Sequence, residues 1–345
     1  MPSHHVELAE QCDRAGRHDE AIRHLVAGAG HNDVEALTRL GKRLLVGDRA
    51  PRLPSQGADL LVDASRRGGA EAAAVLAVLY ALGASARHDL GSALESMLLA
   101  AERGWAPAQA QLRVLAGDVD DQADTSPRAW RALAERIDLA AWGVPPPAID
   151  LHAEPLVRAY PCFVPPEVCR WVIRRSRGRL ARALVYEALL KVTTTHESRT
   201  NTSAFFNLLD TDLVLTLIQR RMSACLGVPL RHFEPMSVLH YAPGEEITEH
   251  FDFVDPNVPD YAAQIAVQGQ RIVTFLVYLN DDYAGGETVF PRLGVTRKGE
   301  AAEALCFVNA HADGRADVRT LHAGRPPRGG EKWIVSQFVR DRPTF

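Results

Sequence analysis

His250, Asp252 and His322 offer two imidazoles and one carboxylate, and Lys332 follows them in the C-terminal stretch of the chain. Two imidazoles and a carboxylate gathered on one side of a ferrous ion leave the opposite positions open for dioxygen and a second small molecule. A lysine ammonium that reaches the same place can anchor an acidic cosubstrate as a compact charge. The chemistry within reach of these four residues is oxygen activation at a non-haem iron.

The His-x-Asp pattern decides nothing alone, because the chain holds 13 histidines and 43 acidic residues. It occurs at His31-Asn32-Asp33, His250-Phe251-Asp252 and His311-Ala312-Asp313. Only the second lies in an extended apolar setting. Residues i and i+2 of a strand share a face, so a strand over 247–253 projects His250 and Asp252 together, with Phe251 packed behind. His31 and Asp33 lie between Gly30 and a helical stretch that starts at Val34, and 309–315 reads as a polar turn around Gly314. Both of those triplets are expected at the surface. His196, His232 and His240 are expected to be structural or surface residues, with His240 facing away from Tyr241 and from the cavity.

The elements that must position the four residues belong to a chain of 345 residues, long enough for two or more cores. Its composition, 46% hydrophobic and 24% charged, is that of a globular protein. A formal charge of -4 disfavours a nucleic-acid or membrane-surface binder. Five scattered cysteines without a Cys-x-x-Cys pair point to a reduced, cytoplasmic protein. Residues 1–10 lack the apolar core of a signal peptide, and no run approaches the roughly 18 apolar residues of a membrane span. Secretion and membrane spanning are therefore not expected.

A shift of 36 residues aligns Ala36 with Ala72 and Ala108, Leu40 with Leu76 and Leu112, Gly47 with Gly83, and Arg67-Gly68 with Arg103-Gly104. Apolar spacing inside each unit is helical, as in Leu76, Leu79 and Tyr80, and such helix pairs need neighbours to bury their faces. This period, with its Ala-x-x-x-Leu and late glycine, resembles Sel1-like repeats over about residues 5–117, although several of the usual aromatics are missing. The resemblance implies an array that binds proteins or peptides, and a helical scaffold that only packs against the second domain is the alternative. Residues 118–124 and the proline cluster 143–147 read as connectors around a helical segment over 127–142. Beyond 153, short runs rich in Val, Phe, Tyr and Thr predict strands over 236–241, 247–253, 272–279, 288–290, 304–307, 320–322 and 333–339. Helices over 166–176 and 212–226 would pack outside an antiparallel barrel or sandwich. The polar stretch 255–270 lies between two of these strands and is long enough to cover a site. The boundaries expected are 1–117 for the repeats, 118–152 for a linker with a helix, and 153–345 for the second domain.

Several segments of that second domain fall in one order: Phe163-x-x-x-Glu167-x-Cys169, Arg199-Thr200-Asn201-Thr202, Tyr241-x-x-Gly244, His250-Phe251-Asp252, and Arg271-x-x-Thr274 running into Tyr278-Leu279-Asn280. Gly285-Gly286-Glu287-Thr288-x-Phe290-Pro291, Leu321-His322-Ala323-Gly324 and Lys332-Trp333 complete the series. Together they resemble the prolyl 4-hydroxylase type of 2-oxoglutarate- and Fe(II)-dependent dioxygenase. The resemblance implies an α+β multidomain chain, an N-terminal α-helical repeat array followed by a double-stranded β-helix (jelly-roll) oxygenase domain. It implies His250, Asp252 and His322 as iron ligands, Lys332 as partner of the far carboxylate of 2-oxoglutarate, Tyr241 and Thr274 as hydroxyl groups for the same cosubstrate, and Arg199 as a contact for substrate. The cofactors implied are Fe(II), 2-oxoglutarate and dioxygen, with L-ascorbate in support.

The reaction implied is oxidative decarboxylation of 2-oxoglutarate to succinate and carbon dioxide, coupled to hydroxylation of a carbon of a peptide or protein residue. Proline is a candidate residue, and the repeats are expected to recruit the substrate. Phe338 stands where relatives commonly carry tryptophan, and this departure bears on whether peptidyl proline is the target. Hydroxylation of a small molecule such as a free amino acid is the alternative within the same chemistry. A non-catalytic adaptor built on the repeats is the alternative outside it. No Gly-x-Ser-x-Gly elbow or Gly-x-x-x-x-Gly-Lys loop supports a hydrolase or a nucleotide-binding reading.

Overall fold

The computed structural model describes residues 3–85, 87–118, 124–183, 198–311 and 313–344, and the backbone of 185–187 and 192–194. His196, Ala312 and the middle of the acidic connector, 119–123, lie outside the described residues. Two compact units form: residues 1–141 with 208–217, and residues 142–207 with 218–345. Among the described residues no helix is long and apolar enough to cross a membrane.

The first unit is built from helices α1 (His4–Arg14), α2 (His18–Gly30), α3 (Val34–Val46), α4 (Pro54–Arg66), α5 (Ala70–Leu82), α6 (Leu90–Glu102) and α7 (Ala106–Leu115). Their starts carry the repeat: α3, α5 and α7 begin in step, as do α2, α4 and α6. Gly47 and Gly83 end α3 and α5 in the left-handed conformation, with φ of 77° and 69°. Asp33 caps α3 by accepting from the Glu35 and Ala36 amides, and His31 bonds the Ala27 carbonyl. The first His-x-Asp triplet is thus a helix junction. Helices α3 and α4 touch through glycine: a Cβ on Gly57 would lie 2.6 Å from the Gly41 carbonyl oxygen and 2.8 Å from the Leu45 nitrogen.

The helix expected over 127–142 is shorter, α8 (Pro127–Glu135), because Asp138 accepts from the Ala140 and Ala141 amides and starts a separate turn, Ala140–Gly143. Helix α8 packs within the array. Arg131 bonds Glu102 at 2.7 Å, and the Arg113 guanidinium lies 5.0 Å over the Trp130 ring. Leu208 and Leu209 pack against the core shared by α3 to α5, and the Leu213 amide donates to Gln111 at 2.9 Å.

The second unit is a set of antiparallel strands: β1 (Ile149–His152), β2 (Val157–Tyr160), β3 (Ala181–Arg182), β4 (Val185–Glu187), β5 (Val192–Thr194), β6 (Thr202–Phe206), β7 (Met236–Tyr241) and β8 (Ile247–His250) come first. After them come β9 (Arg271–Tyr278), β10 (Ala284–Gly285), β11 (Thr288–Phe290), β12 (Val295–Arg297), β13 (Ala304–Val308), β14 (His322–Gly324), β15 (Pro327–Arg328) and β16 (Lys332–Arg340). The large sheet has the order β1-β2-β13-β9-β16-β7-β6-β3 and the small one β12-β11-β14-β8. Leu239, Tyr241, Leu276, Tyr278, Leu305, Phe307 and Ile334 of the large sheet meet Phe290 of the small sheet, with Ile247 and Val295 packed against them. Two facing sheets over one apolar layer are the jelly-roll arrangement expected. On the outer face of the large sheet, Phe163 packs on Phe275 just before α9 (Pro166–Arg177), and Gln219 of α10 (Leu213–Leu226) bonds Gln337.

Three further expectations change, all in the second unit. The strand expected over 247–253 stops at His250, because its partner β14 begins at His322 and pairs that residue with His250. Asp252 therefore lies beyond the ladder. The strand expected over 320–322 is displaced to His322–Gly324 by a short helical turn, Val318–Thr320, that Asp317 caps. The polar stretch 255–270 contains a helix, α11 (Pro259–Gln268), none of whose residues is buried.

Replacing Gly57 by valine forces the α3 and α4 backbones apart. We expect a loss of about 1–3 kcal/mol, read as a lower denaturation midpoint of the full chain in urea.

Candidate metal centre

β8 and β14 run antiparallel with His250 opposite His322, which brings the two imidazole centroids to 4.2 Å. The Nδ1 of His250 lies 2.8 Å from the Thr248 carbonyl, and the Nδ1 of His322 lies 3.0 Å from that of Thr320. A carbonyl can only accept, so each Nδ1 carries hydrogen, and in the neutral ring the Nε2 holds the lone pair. Those atoms lie 3.5 Å and 3.4 Å from the two carboxylate oxygens of Asp252. His250, Asp252 and His322 are the one His/Cys/Asp/Glu cluster among the described residues whose ligand atoms all fall within 4.8 Å of one another.

The electrostatics suit a divalent ion. Burial pushes His322 down to about 4, a loss that Asp252 only partly offsets. Burial acts against the Asp252 carboxylate too, but His322, His250 and the Thr274 hydroxyl together hold its pKa well below the ordinary range. At neutral pH the pair rests as a neutral imidazole beside a carboxylate, the protonation states that metal binding requires. Phe290 stacks on His322 at 5.4 Å, and Phe307 meets the same ring edge-on at 4.8 Å, so the ring is fixed on its apolar side.

Thr274, expected to serve a cosubstrate, donates to Asp252 at 2.8 Å and accepts from the Asn309 amide at 2.8 Å. Its hydroxyl is thereby spent on the carboxylate. Lys332 and Tyr241 sit opposite each other on β16 and β7. Lys332 is 1% exposed, and the one hydrogen-bond acceptor of its ammonium among the described residues is the Gly286 carbonyl at 2.7 Å. It lies 5.2 Å and 5.8 Å from the Tyr241 and Tyr278 rings. Burial pushes Lys332 down to about 8, with Glu287 pulling the other way. Only glycine fits at 286: φ is 70°, and a Cβ would lie 2.7 Å from the Tyr283 ring. A buried cation whose only hydrogen-bond acceptor is a backbone carbonyl fits an anionic group of a small molecule.

Both ends of this arrangement open on one cavity of about 1180 Å³, lined by His250, Asp252, His322, Tyr241, Lys332 and Arg199 among others. Thr288 also lines it and shares a 2.9 Å hydrogen bond with the Tyr278 hydroxyl. Its signal was its place two residues after Gly286 in the glycine-rich motif. The wall farther along β16 was not legible in sequence. There Glu234 takes two bonds from Arg271 and one from Arg340, and the Arg271 guanidinium lies 3.8 Å over the Phe338 ring. Tyr261, Gln264 and Ile265 of α11 border the same space.

Arg199 bonds Asn201 at 3.2 Å and bridges to Ile247 at the start of β8. His240 bonds Thr202 and packs on Trp333, facing away from the cavity as expected. His152 and His232 bond backbone carbonyls. His311 lies 3.6 Å from Asp317.

Residues 236–340 match the model of the 2OG-Fe(II) oxygenase superfamily. The C-terminal part of the chain is also similar in sequence to prolyl 4-hydroxylases. It is 32% identical over 167 residues to prolyl 4-hydroxylase subunit alpha-1 of Rattus norvegicus, covering 48% of this chain and 31% of that protein. It is 28% identical over 208 residues to probable prolyl 4-hydroxylase 7 of Arabidopsis thaliana, covering 55% and 64%. The chain thus spans less than two thirds of either relative. Among solved structures, the viral collagen prolyl hydroxylase of Paramecium Bursaria Chlorella virus-1 is 24% identical, with 53% of this chain and 95% of that chain covered at a TM-score of 0.41.

Replacing Thr274 by valine removes a donor from a buried carboxylate and leaves the Asn309 amide without its acceptor. The metal-free chain should lose about 1–3 kcal/mol in urea denaturation, and Thr274→Ser should recover most of it.

Proposed function

We propose that the chain is a 2-oxoglutarate- and Fe(II)-dependent dioxygenase that hydroxylates a carbon of a peptide or protein residue, with prolyl the first candidate, and releases succinate and carbon dioxide. The observation that carries this reading is the pairing, on one cavity, of a His/Asp/His donor set with a buried lysine that, among the described residues, hydrogen-bonds no carboxylate. In this reading His250, Asp252 and His322 hold Fe(II), which supplies the oxygen chemistry when bound. Lys332 receives the far carboxylate of 2-oxoglutarate, Tyr241 orients the cosubstrate, and the apolar layer around them excludes water. Thr274 acts through Asp252.

A peptide or protein substrate is supported by the cavity, which exceeds the roughly 300–1,000 Å³ of ordinary small-molecule pockets. The names of the relatives support proline. Arg199 lies on the wall where such a chain would enter, and the repeats of residues 1–117 would recruit it. The free cysteines support a reducing, cytoplasmic setting, and ascorbate would keep the iron ferrous.

The full chain, loaded with Fe(II), should turn 2-oxoglutarate into succinate, and His250→Ala should abolish this; equal turnover by both would sink the reading. Lys332→Ala should raise the KM for 2-oxoglutarate at least about tenfold, as expected when a charge-assisted bond is lost. Because burial lowers Lys332 to about 8, affinity for 2-oxoglutarate should hold below that pH and fall above it as the ammonium loses its proton. Calorimetry across pH 6–10 would read this. Lys332→Arg, which stays charged, should abolish the fall in whatever affinity it retains.

A further inference from the structure

β8 ends at His250, so the sheet does not hold Asp252 directly. Among the described residues the backbone beyond it is held by the side chain of Gln270, which is 4% exposed. Gln270 Nε2 donates to the Val254 carbonyl at 2.7 Å, and its Oε1 accepts from the Val254 amide at 2.7 Å. It supplies both halves of a strand pairing that the sheet lacks there, two residues past the carboxylate. A carboxamide does this because it carries a donor and an acceptor side by side, as a peptide group does.

Gln270 is itself held. Its Oε1 takes a second bond from the Arg271 amide at 2.8 Å. Its backbone exchanges two bonds with Asp341, 2.9 Å from the Gln270 amide to Asp341 Oδ1 and 3.0 Å from the Asp341 amide to the Gln270 carbonyl. Val254 and Gln270 are the two ends of the excursion that contains α11, so the clamp closes its neck. Thr274 aims the Asp252 carboxylate, whereas Gln270 locates the backbone that carries it.

We infer that Gln270 is a positioning residue for the metal: it holds the segment after Asp252 so that the carboxylate meets an ion bound by His250 and His322, whatever α11 does beyond the neck. The inference rests on the metal reading of the triad. Partners one shell out from a metal typically contribute about 10–100-fold to its affinity. Loss of the clamp frees the backbone of 251–254, and ordering it again then weakens metal binding.

Co(II) titration of the full chain, followed by its visible absorption, tests this. Gln270→Met, similar in length but without hydrogen bonds, should bind Co(II) at least about tenfold more weakly and with an altered band. The rise in melting temperature on adding Co(II) should shrink with it. Affinity within about threefold of the wild type, with an unchanged band, would overturn the inference. Hydrogen exchange at the Val254 amide in the wild-type chain needs no variant: slow exchange supports the clamp, and exchange at the rate of a free amide overturns it. A wild-type chain that takes up no Co(II) would instead overturn the metal reading, and this inference with it.

Discussion

The second unit depends on the antiparallel register that sets His250 opposite His322. Side chains of a strand alternate, so a slip of one residue would turn one imidazole to the other face and dissolve the site. The register is guarded from both sides. Each ring is tied to a carbonyl two residues back in its own segment, and Phe290 and Phe307 hold His322 from the core. Protein contacts thus hold both imidazoles, which lowers the ordering cost of binding a metal there.

Burial does opposite things at the two ends of the cavity. At His322 it favours the neutral form, which is the form that binds a metal. At Lys332 it disfavours the charged form, which an acidic ligand needs. The second burial is a standing cost to the fold, and an arriving carboxylate would remove it. Stability withheld in this way is common where a protein keeps a site ready for a partner of opposite charge.

The repeat array was legible because identical spacing forces identical helices: the shift that aligns Ala36, Ala72 and Ala108 also aligns the starts of α3, α5 and α7. The His250, Asp252 and His322 cluster was legible because such side chains are rare in an extended apolar setting. The groups that hold those side chains were not. The partner of Thr274 is decided by where β9 meets the segment after β8, and that of Gln270 by closure of the α11 excursion, neither of which leaves a local pattern. The helix inside 255–270 escaped for a related reason. An amphipathic stripe is the signal for a helix, and a helix that buries no residue has no need of one.

The neutrality of α11 toward the core has an evolutionary side. Changes in a segment without buried contacts cost the fold little, yet Tyr261, Gln264 and Ile265 border the cavity. Sequence drift in this helix would therefore reshape the cavity wall while His250, Asp252 and His322 stay behind the neck. Descendants of one chain could diverge in substrate and keep one chemistry, with selection acting on a wall that the core does not constrain.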